Sequence, residues 1–368
     1  MPDSMISLKN VSKVFGDSGD PAVKDLSLDI ESGETVVLVG PSGCGKTTTM
    51  KMINRLIEPT SGSIHVDGSD ILKQNAVELR RRIGYVIQSI GLLPHRTIKQ
   101  NIEIVPRLIG WDVQKIDQRV EELLDILDLD RGLLERYPGE LSGGQRQRVG
   151  VARALAADPP VMLMDEPFGA VDPIVRERLQ DQFLSIQERL KKTIVFVTHD
   201  IDEAIKMSDR IAILNKGGVL EQYASPEEIL RAPANDFVRR FVGAERGLKR
   251  LALVTVADIQ IEEGPVVAPS ATVDEALRVM DKFDYEWTSV VDDGELLGWV
   301  DQESLRGHSK VSEAEAKPFS AYVTGKSTLR HALDSIVTSR TKVAVVASEG
   351  QRYEGILTIE RISKEIIS

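Results

Sequence analysis

Apolar and polar residues alternate along much of the chain, and the period of the alternation changes from one stretch to the next. Between residues 6 and 39 the period is two, which predicts half-buried β-strands joined by short turns. Continuous apolar runs over 161–164 and 194–197 predict strands covered on both faces, as in a parallel sheet. Residues 75–157 place apolar side chains at helical spacing, so we expect a helix-rich region there. The pattern therefore predicts an α/β fold.

A glycine-rich stretch follows a third apolar run, Val36–Val39, and precedes a helical pattern over 49–56. Strand, glycine loop and helix is the setting in which G-x-x-x-x-G-K-[ST] binds phosphate, because backbone N–H groups curl around the anion. We expect Lys46 to reach the β- and γ-phosphates of a nucleotide and the hydroxyl of Thr47 to bind Mg²⁺. An ordinary strand–helix turn is the alternative. The stretch consists of Gly40, Pro41, Ser42, Gly43, Cys44, Gly45, Lys46, Thr47 and Thr48.

Ionisable side chains stand where the two other predicted buried strands end. Asp165 and Glu166 follow the first of these runs, and His199 closely follows the second. The carboxyl ends of parallel strands form the edge at which open α/β sheets bind ligands. We interpret Asp165 as a holder of Mg²⁺ and Glu166 as a base that polarises water. A lone histidine is usually structural, but at this edge we interpret His199 as a contact of the γ-phosphate.

Three further positions carry either chemistry or structure alone. Ser142, followed by two glycines and a helical run over 146–157, is either a simple helix N-cap or part of a second anion-binding helix start. Phe15 is either a half-buried strand aromatic or a ring on which adenine stacks. Gln88 ends a short predicted strand over 85–88, and its immediate surroundings do not distinguish it from a surface amide.

Composition limits the classes of function. The 368 residues suggest two or three domains, and 42% hydrophobic with 28% charged residues is typical of a globular protein. The net charge of −11 argues against general nucleic-acid binding, so we expect no nucleic-acid partner. Cys44 is the single cysteine, which excludes an internal disulfide. We expect no signal peptide, and no apolar run approaches the ~20 residues of a membrane span. If the protein serves a membrane process, another chain would cross the membrane.

The order and spacing of these motifs resemble those of an ABC-type ATPase over residues 5 to about 245. The resemblance implies a RecA-like P-loop α/β core with an antiparallel β subdomain and a helical subdomain over about 88–157. It also implies ATP hydrolysis with Mg²⁺ by a homodimer that sandwiches two ATP molecules head to tail. Val171 stands where the family more often has leucine. The motifs are Gly40–Thr48, Gln88, Leu141–Gln145, Asp165 with Glu166, Asp172 and His199.

The resemblance assigns a role to each matching residue. Phe15 would stack on adenine, Asp172 would lie in the loop that touches the partner, and Gln88 would contact Mg²⁺ and take part in coupling. Glu166 would be the general base, assisted by Lys46, Gln88 and His199. Mg²⁺ would be held by Thr47, Gln88 and Asp165. The signature stretch that closes on the partner's ATP would comprise Leu141, Ser142, Gly143, Gly144 and Gln145.

Two stretches narrow the resemblance to importers. The tail at Ala224–Leu230 and 235–238 resembles that of bacterial importer ATPases, and residues 88–97 resemble those of the group that imports quaternary amines and other osmoprotectants. The implied partners are a membrane permease and, through it, a substrate-binding protein. The implied location is the cytoplasmic face of the membrane. The alternatives are an importer ATPase for another small solute, a non-transport ABC protein and a regulatory sensor.

Residues 251–368 contain an internal repeat, in which Thr272–Leu277 parallels Thr328–Leu333. After each helix we expect an apolar strand and then a strand that begins at a glycine, Gly298 or Gly355. The repeat resembles a tandem pair of α+β CBS modules, which predicts domains at 1–245, 251–308 and 315–368. With 5% aromatic residues we expect no aromatic cluster able to hold a quaternary amine, so selectivity would lie in partner proteins.

CBS modules often bind adenine nucleotides through a Thr or Ser and a later Asp. The first copy has Asp301 and Ser304 at those positions, and the second has Thr358 and Arg361. Both copies lack the later Asp, which argues against AMP-type binding. We favour another regulatory nucleotide, such as a cyclic dinucleotide, over a response to ionic strength. A dimerisation module without a ligand is the alternative.

Overall fold

The computed structural model of the protein describes residues 4–16, 19–87, 91–169, 172–319, 322–348 and 350–367. They form two compact units that divide between Val242 and Gly243. The first unit contains the motifs that the sequence associates with ATP, and the second contains the internal repeat. Among the described residues, no helix combines the length and the apolar composition needed to cross a bilayer.

The first unit contains two sheets and a set of helices. Its elements, in chain order, are β1 (Ser4–Lys13), β2 (Val23–Glu31), β3 (Thr35–Val39), α1 (Lys46–Ile53), β4 (Ser61–Val66), β5 (Ser69–Asp70), α2 (Ala76–Arg81), β6 (Ile83–Val86), α3 (Ile98–Ile102), α4 (Ile104–Leu108), α5 (Val113–Ile126), α6 (Gly143–Leu155), β7 (Val161–Asp165), α7 (Pro173–Leu190), β8 (Thr193–Thr198), α8 (Ile201–Met207), β9 (Arg210–Asn215), β10 (Val219–Ala224), α9 (Pro226–Arg231) and α10 (Asp236–Val242).

The predicted difference between half-buried and fully buried strands is confirmed. Strands β2, β1, β4 and β5, in that order, form an antiparallel sheet, and β2 alternates buried and exposed residues along most of its length. The second sheet has the order β10-β9-β3-β8-β7-β6, and its strands are parallel except for β10. Every residue of β3 and β8 is buried. Parallel pairing brings the carboxyl ends of β3, β7 and β8 to one edge, where the predicted site residues follow.

A single apolar core joins the two sheets and fixes the helix after the glycine loop. Ile6 and Leu8 of β1, Val36 and Leu38 of β3 and Met50 of α1 are almost completely buried in one cluster. At about 1.5–3 kcal/mol for each fully buried large apolar side chain, this cluster contributes strongly to stability. It holds α1 firmly at the carboxyl edge of the parallel sheet.

The predicted helix-rich region is present as α2 to α6, with β6 inside it. Ile116, Val120 and Leu123 are buried along one face of α5, as their helical spacing predicts. Helix α6 begins at Gly143 rather than at residue 146, and it ends at Leu155. It begins earlier because Ser142 and Gln145 form a capping box that satisfies backbone N–H groups of the first turn.

The second unit contains two antiparallel hairpins, one of them extended by a short parallel strand. In each of two apolar clusters of the second unit, a segment that lies outside a copy of the repeat packs against that copy. Leu251 and Val256, from the start of the unit, pack with Leu329 and Ile336 of the second copy, whereas Val311 packs with the first copy. The elements are α11 (Arg246–Arg250), β11 (Val266–Val267), α12 (Val273–Phe283), β12 (Trp287–Asp292), β13 (Glu295–Asp301), α13 (Leu329–Thr338), β14 (Ala344–Ala347), β15 (Tyr353–Leu357) and α14 (Ile359–Ile367).

The prediction that the second strand of each copy begins at a glycine is wrong. Gly298 and Gly355 lie inside β13 and β15, with φ of +149° and +144°. A Cβ on Gly298 would lie 2.6 Å from the carbonyl oxygen of Lys317, and one on Gly355 would lie 2.5 Å from that of Glu262. Glycine stands at these positions because a neighbouring backbone crosses each strand there.

The second unit contains an aromatic cluster that the composition did not indicate, but it is a packed core cluster and so does not contradict the expectation of no aromatic cage for a quaternary amine. Tyr285, Trp287, Trp299, Phe319 and Tyr353 gather around one apolar cluster of the second unit. The ring centroid of Trp287 lies 5.5 Å from that of Tyr285 and 6.1 Å from that of Phe319. Composition missed the cluster because its members are spread over nearly 70 positions of sequence. The tilted and edge-on contacts are those of core packing.

Candidate active site

The glycine loop turns directly from β3 into α1. Gly45 precedes the helix with φ of +103°, and a Cβ there would lie 2.4 Å from the carbonyl oxygen of Ala22. A residue with a side chain would therefore be strained and would collide with backbone. The first N–H groups of α1 have no partner within the helix and point toward the carboxyl edge of the sheet, which suits an anion.

Lys46 is the first residue of α1 and is only 7% exposed. Its ammonium group donates hydrogen bonds to the carbonyl oxygens of Gly40 at 2.8 Å and Pro41 at 3.1 Å. These contacts fold the lysine back along the loop, with its charge beside the same backbone that surrounds an anion in such loops. The position agrees with the predicted role of a point charge for phosphate.

Thr47 and Asp165 are in contact, although 118 positions separate them. The Thr47 hydroxyl donates to Oδ1 of Asp165 at 3.1 Å. Burial raises the pKa of the Asp165 carboxyl, and the bond from Thr47 opposes that shift. A hydroxyl and a carboxylate side by side are hard oxygen ligands of the kind that Mg²⁺ selects, so the two residues fit the ion.

Glu166 and His199 also meet at this edge. Nδ1 of His199 lies 3.1 Å from Oε1 of Glu166, and a hydrogen bond there requires the proton on Nδ1. Glu166 has a left-handed φ of +43°, and its N–H donates to the carbonyl oxygen of Val197 at 2.9 Å. A non-glycine residue in this region costs of the order of 1–3 kcal/mol, which is typical of functional sites. The turn places the carboxylate beside the imidazole.

Ser142 stands at the exposed start of α6. Its hydroxyl accepts from the N–H of Gln145 at 3.3 Å, and the Gln145 side chain accepts from the N–H of Ser142 at 2.9 Å. The predicted N-cap is therefore confirmed. Leu141 is buried beneath it, while Gly143 is exposed and Gly144 half-exposed. The capping box leaves other N–H groups of the first turn directed outward, as an anion-binding helix start requires.

The remaining predicted residues lie at separate positions. Phe15 lies beyond the end of β1 and is 53% exposed, with the Lys13 ammonium 5.1 Å from its ring centroid. An exposed ring fits stacking better than the alternative of a half-buried strand residue. Asp172 is exposed before α7, and its carbonyl oxygen accepts from the N–H of Arg176 at 2.8 Å. Gln88 lies outside the described residues.

Sequence motifs did not single out a buried polar pair behind the site. The Gln180 side chain donates to Oε1 of Glu203 at 3.0 Å, and both residues are buried. Burial raises the pKa of Glu203. The pair joins α7, which follows Asp172, to α8, which follows His199. No local pattern marks it, because the two residues lie on different helices.

Family models match both units. The model for the ABC transporter family matches residues 23–169, and the model for the CBS domain matches residues 256–310. The chain is 50% identical to the osmoprotectant import ATP-binding protein OsmV of Salmonella typhimurium, over 99% of this chain and 97% of the relative. It is 48% identical to the glycine betaine/carnitine/choline transport ATP-binding protein OpuCA of Bacillus subtilis, over 96% of this chain and 94% of that one.

The first unit also resembles a solved ABC transporter cassette. The dimeric structure of a bacterial cassette has a TM-score of 0.55 and 36% identity, and it covers 60% of this chain and 99% of its own. The likeness confirms the predicted RecA-like fold. The chain belongs to the ABC transporter family, and it is one of the family's ATP-hydrolysing subunits, with a CBS domain in its second unit.

Proposed function

We propose that this chain powers the import of a quaternary-amine osmoprotectant through a separate membrane permease. The observation that carries the proposal is the near-full-length likeness to relatives named for such solutes, among them glycine betaine, carnitine and choline. Two copies of the chain act at the cytoplasmic face of the permease, and a substrate-binding protein delivers the solute on the other side. Selectivity lies in those partners.

Uptake in cells tests the substrate class. A strain that lacks this chain is given labelled glycine betaine, choline, carnitine or trimethylamine N-oxide, the last because a 38% identical relative of Ruegeria pomeroyi is named for it. We expect the intact chain, but not Lys46→Ala, to restore uptake of at least one of the first three. Lys73→Ala, which alters an exposed lysine of the same unit, is the control. Uptake that is independent of the chain for the first three solutes contradicts the proposal, and chain-dependent uptake of trimethylamine N-oxide alone would point to that solute instead.

The residues at the sheet edge divide the work of phosphoryl transfer. Lys46 and the loop N–H groups hold the β- and γ-phosphates, and Phe15 stacks on adenine. Thr47, Asp165 and Gln88 would hold Mg²⁺, which when bound would neutralise charge on the transferring phosphoryl group. Glu166 accepts a proton from the attacking water, and His199 orients Glu166 and contacts the γ-phosphate. Since little covalent chemistry falls to the protein, positioning and electrostatics supply most of the rate enhancement.

The homodimer shares its two sites. The exposed start of α6 completes an anion site only when a second copy presents its glycine loop, with Asp172 at the contact. Mixing two inactive variants tests this arrangement: a dimer of one Lys46→Ala chain and one Ser142→Arg chain has one intact and one doubly damaged site. We expect the mixture to regain ATP hydrolysis that neither variant has alone at the same total concentration. Full activity of either variant alone contradicts the model.

The second unit regulates transport by binding a nucleotide other than AMP, such as a cyclic dinucleotide. Its two AMP-type positions are already engaged within the chain, since the Thr358 hydroxyl donates to Glu262 at 2.8 Å and that of Ser304 donates to the carbonyl oxygen of Asp301 at 2.9 Å. Calorimetric titration of the full chain carrying Lys46→Ala, with AMP and with cyclic di-AMP, separates the classes. We expect heat from the cyclic dinucleotide alone. Heat from neither leaves a structural role.

A further inference from the structure

Residues 91–97, here called the linker segment, are held at one end by a buried amide. Asn101 of α3 is completely buried, and its Oδ1 accepts from the N–H of Leu93 at 2.7 Å. Its Nδ2 donates to the carbonyl oxygens of Leu93, Arg96 and Thr97 at 3.0–3.1 Å. An amide nitrogen has two hydrogens, so three acceptors share them. Removing this side chain would take away the partner of the Leu93 N–H and of the Arg96 carbonyl oxygen, whereas the carbonyl oxygens of Leu93 and Thr97 would keep bonds from the N–H groups of Arg96 and Asn101.

The other end of the linker segment is held by α6. Nη1 of Arg153, near the end of that helix, donates to the carbonyl oxygen of Gly91 at 2.6 Å. The donor is a charged guanidinium, and hydrogen bonds from charged donors are stronger than neutral ones. The same end of α6 also presses on β6: a Cβ on Gly84 would lie 2.6 Å from the carbonyl oxygen of Ala154. The end of α6 therefore contacts the chain on both sides of residues 88–90.

The far end of α6 is the Ser142 cap. Thirteen helical residues give the helix a length of about 20 Å, and a packed helix of this length moves as a rigid rod. A displacement of the linker segment at Arg153 therefore also displaces the Ser142 end of α6. A displacement of Ser142 likewise moves the linker segment, because coupling between two sites is reciprocal.

We propose that Arg153 and Asn101 are positioning residues that make the linker segment and α6 move together. When Ser142 closes on ATP, the conformation of residues 91–97 therefore changes as well. The proposal rests on the proposed function, since it takes Ser142 to close on the ATP of a second copy. Arg153 touches no reacting atom. Its role is to link the start of the signature helix to the segment that follows Gln88.

Hydrogen exchange read by mass spectrometry tests the proposal on the full chain carrying Glu166→Gln, with and without Mg-ATP. Without nucleotide, we expect Arg153→Met to speed exchange in 91–97 at least fivefold relative to this parent. On addition of Mg-ATP to the parent, exchange should slow about fivefold or more both in 142–148 and in 91–97. In Arg153→Met the response in 142–148 should persist, and that in 91–97 should fall below twofold.

Arg148→Met is the matched control. Arg148 lies on the same helix, and its guanidinium also donates to a backbone carbonyl oxygen, that of Asp128 at 2.8 Å, away from the linker segment. We expect this variant to respond like the parent at 91–97, and Arg153→Lys to recover part of the response. An unchanged exchange rate at 91–97 in Arg153→Met without nucleotide overturns the link. A persistent ATP response there overturns the transmission. No ATP response at 142–148 in the parent overturns the shared site, and the transmission with it.

Discussion

The two units contain the same small arrangement, a threonine at a helix start whose hydroxyl donates to a carboxylate from another element. In the first unit Thr47 donates to Asp165 at 3.1 Å, and in the second Thr358 donates to Glu262 at 2.8 Å. Asp165 ends a strand at the open edge of a parallel sheet, beside the glycine loop and Lys46. The pair alone therefore does not define a ligand site, and its surroundings decide what it does.

Glu262 is fixed by its own chain in a way that Asp165 is not. Its carboxylate also accepts from the N–H of Thr358 at 3.3 Å, and its backbone exchanges two hydrogen bonds with Ile356 at 2.9 and 3.0 Å. The Thr358 hydroxyl in turn accepts from the N–H of Arg361 at 3.1 Å. These bonds form a helix cap, which stabilises α14 and occupies the groups that AMP-type binding would need.

The corresponding residues of the first copy of the repeat are also bonded within the chain. Ser304 and Asp301 bond to each other's backbone, and the Lys317 ammonium pairs with the Asp301 carboxylate. Burial alone would raise the pKa of Asp301, but the bonds from Lys317 and Ser304 outweigh it and lower the pKa to about 2. The carboxylate therefore remains charged and paired near neutral pH. Both copies use their ligand-type residues as structural bonds.

The largest expected effect is at the open edge of the first unit. Glu166→Gln removes the proton acceptor but keeps the shape of the side chain, so it should bind Mg-ATP and hydrolyse it about 10²–10⁴-fold more slowly. It should also accumulate as an ATP-bound dimer. Turnover is measured by phosphate release and association by light scattering. Glu303→Gln, at an exposed acid of the second unit, should leave both unchanged. Near-normal turnover of Glu166→Gln would show that Glu166 is not the general base.

The contrast between the two threonines can be tested with one substitution at each. Thr47→Val should lower the affinity for Mg²⁺, and so raise the Mg²⁺ concentration that gives half-maximal hydrolysis, by about 10–100-fold, as loss of a metal-site partner does. Thr358→Val should cost about 0.5–2 kcal/mol as a lost N-cap, and so lower the Tm of the second unit by a few degrees. Its ATP turnover should match that of the intact chain. Calorimetric melting and ATPase assays are run on both. A Thr358→Val chain with full stability but altered nucleotide binding would make the second site a ligand site as well.

The sequence predicted the parts of the site that are local. The glycine loop, the strand-end residues Asp165, Glu166 and His199, and the Ser142 cap each follow from a short pattern, and parallel pairing explains why three of the strand ends meet. Their contacts across 33 and 118 positions follow from topology once the sheet is accepted.

Long-range side-chain bonds were not predictable in this way. Arg153 reaches a carbonyl oxygen 62 positions earlier, and Glu262 reaches Thr358 across 96 positions. Neither contact has a periodic or spacing signature, because each depends on how two separate elements pack. The aromatic cluster around Trp287 was missed for the same reason. Composition and period describe one element at a time, whereas these contacts exist only after folding.

The smallest expected effect separates function from stability at Asp165. Burial raises the pKa of this carboxyl above its ordinary value of 3.8, so between the two values the folded state holds more protons than the unfolded state. The free energy of unfolding therefore falls as pH rises through that window, and the cost remains at neutral pH. Asp165→Asn removes the charge but keeps an oxygen for the Thr47 hydroxyl. It should raise Tm at pH 7 by no more than about 2 °C, since the group is partly exposed, and the gain should vanish near pH 4.

Asp158→Asn is the control of opposite sign, because the bond from Lys192 lowers the pKa of Asp158. A Tm at pH 7 that falls in Asp165→Asn would mean that the carboxylate stabilises the fold as Glu262 does, and the difference between the two carboxylates would disappear.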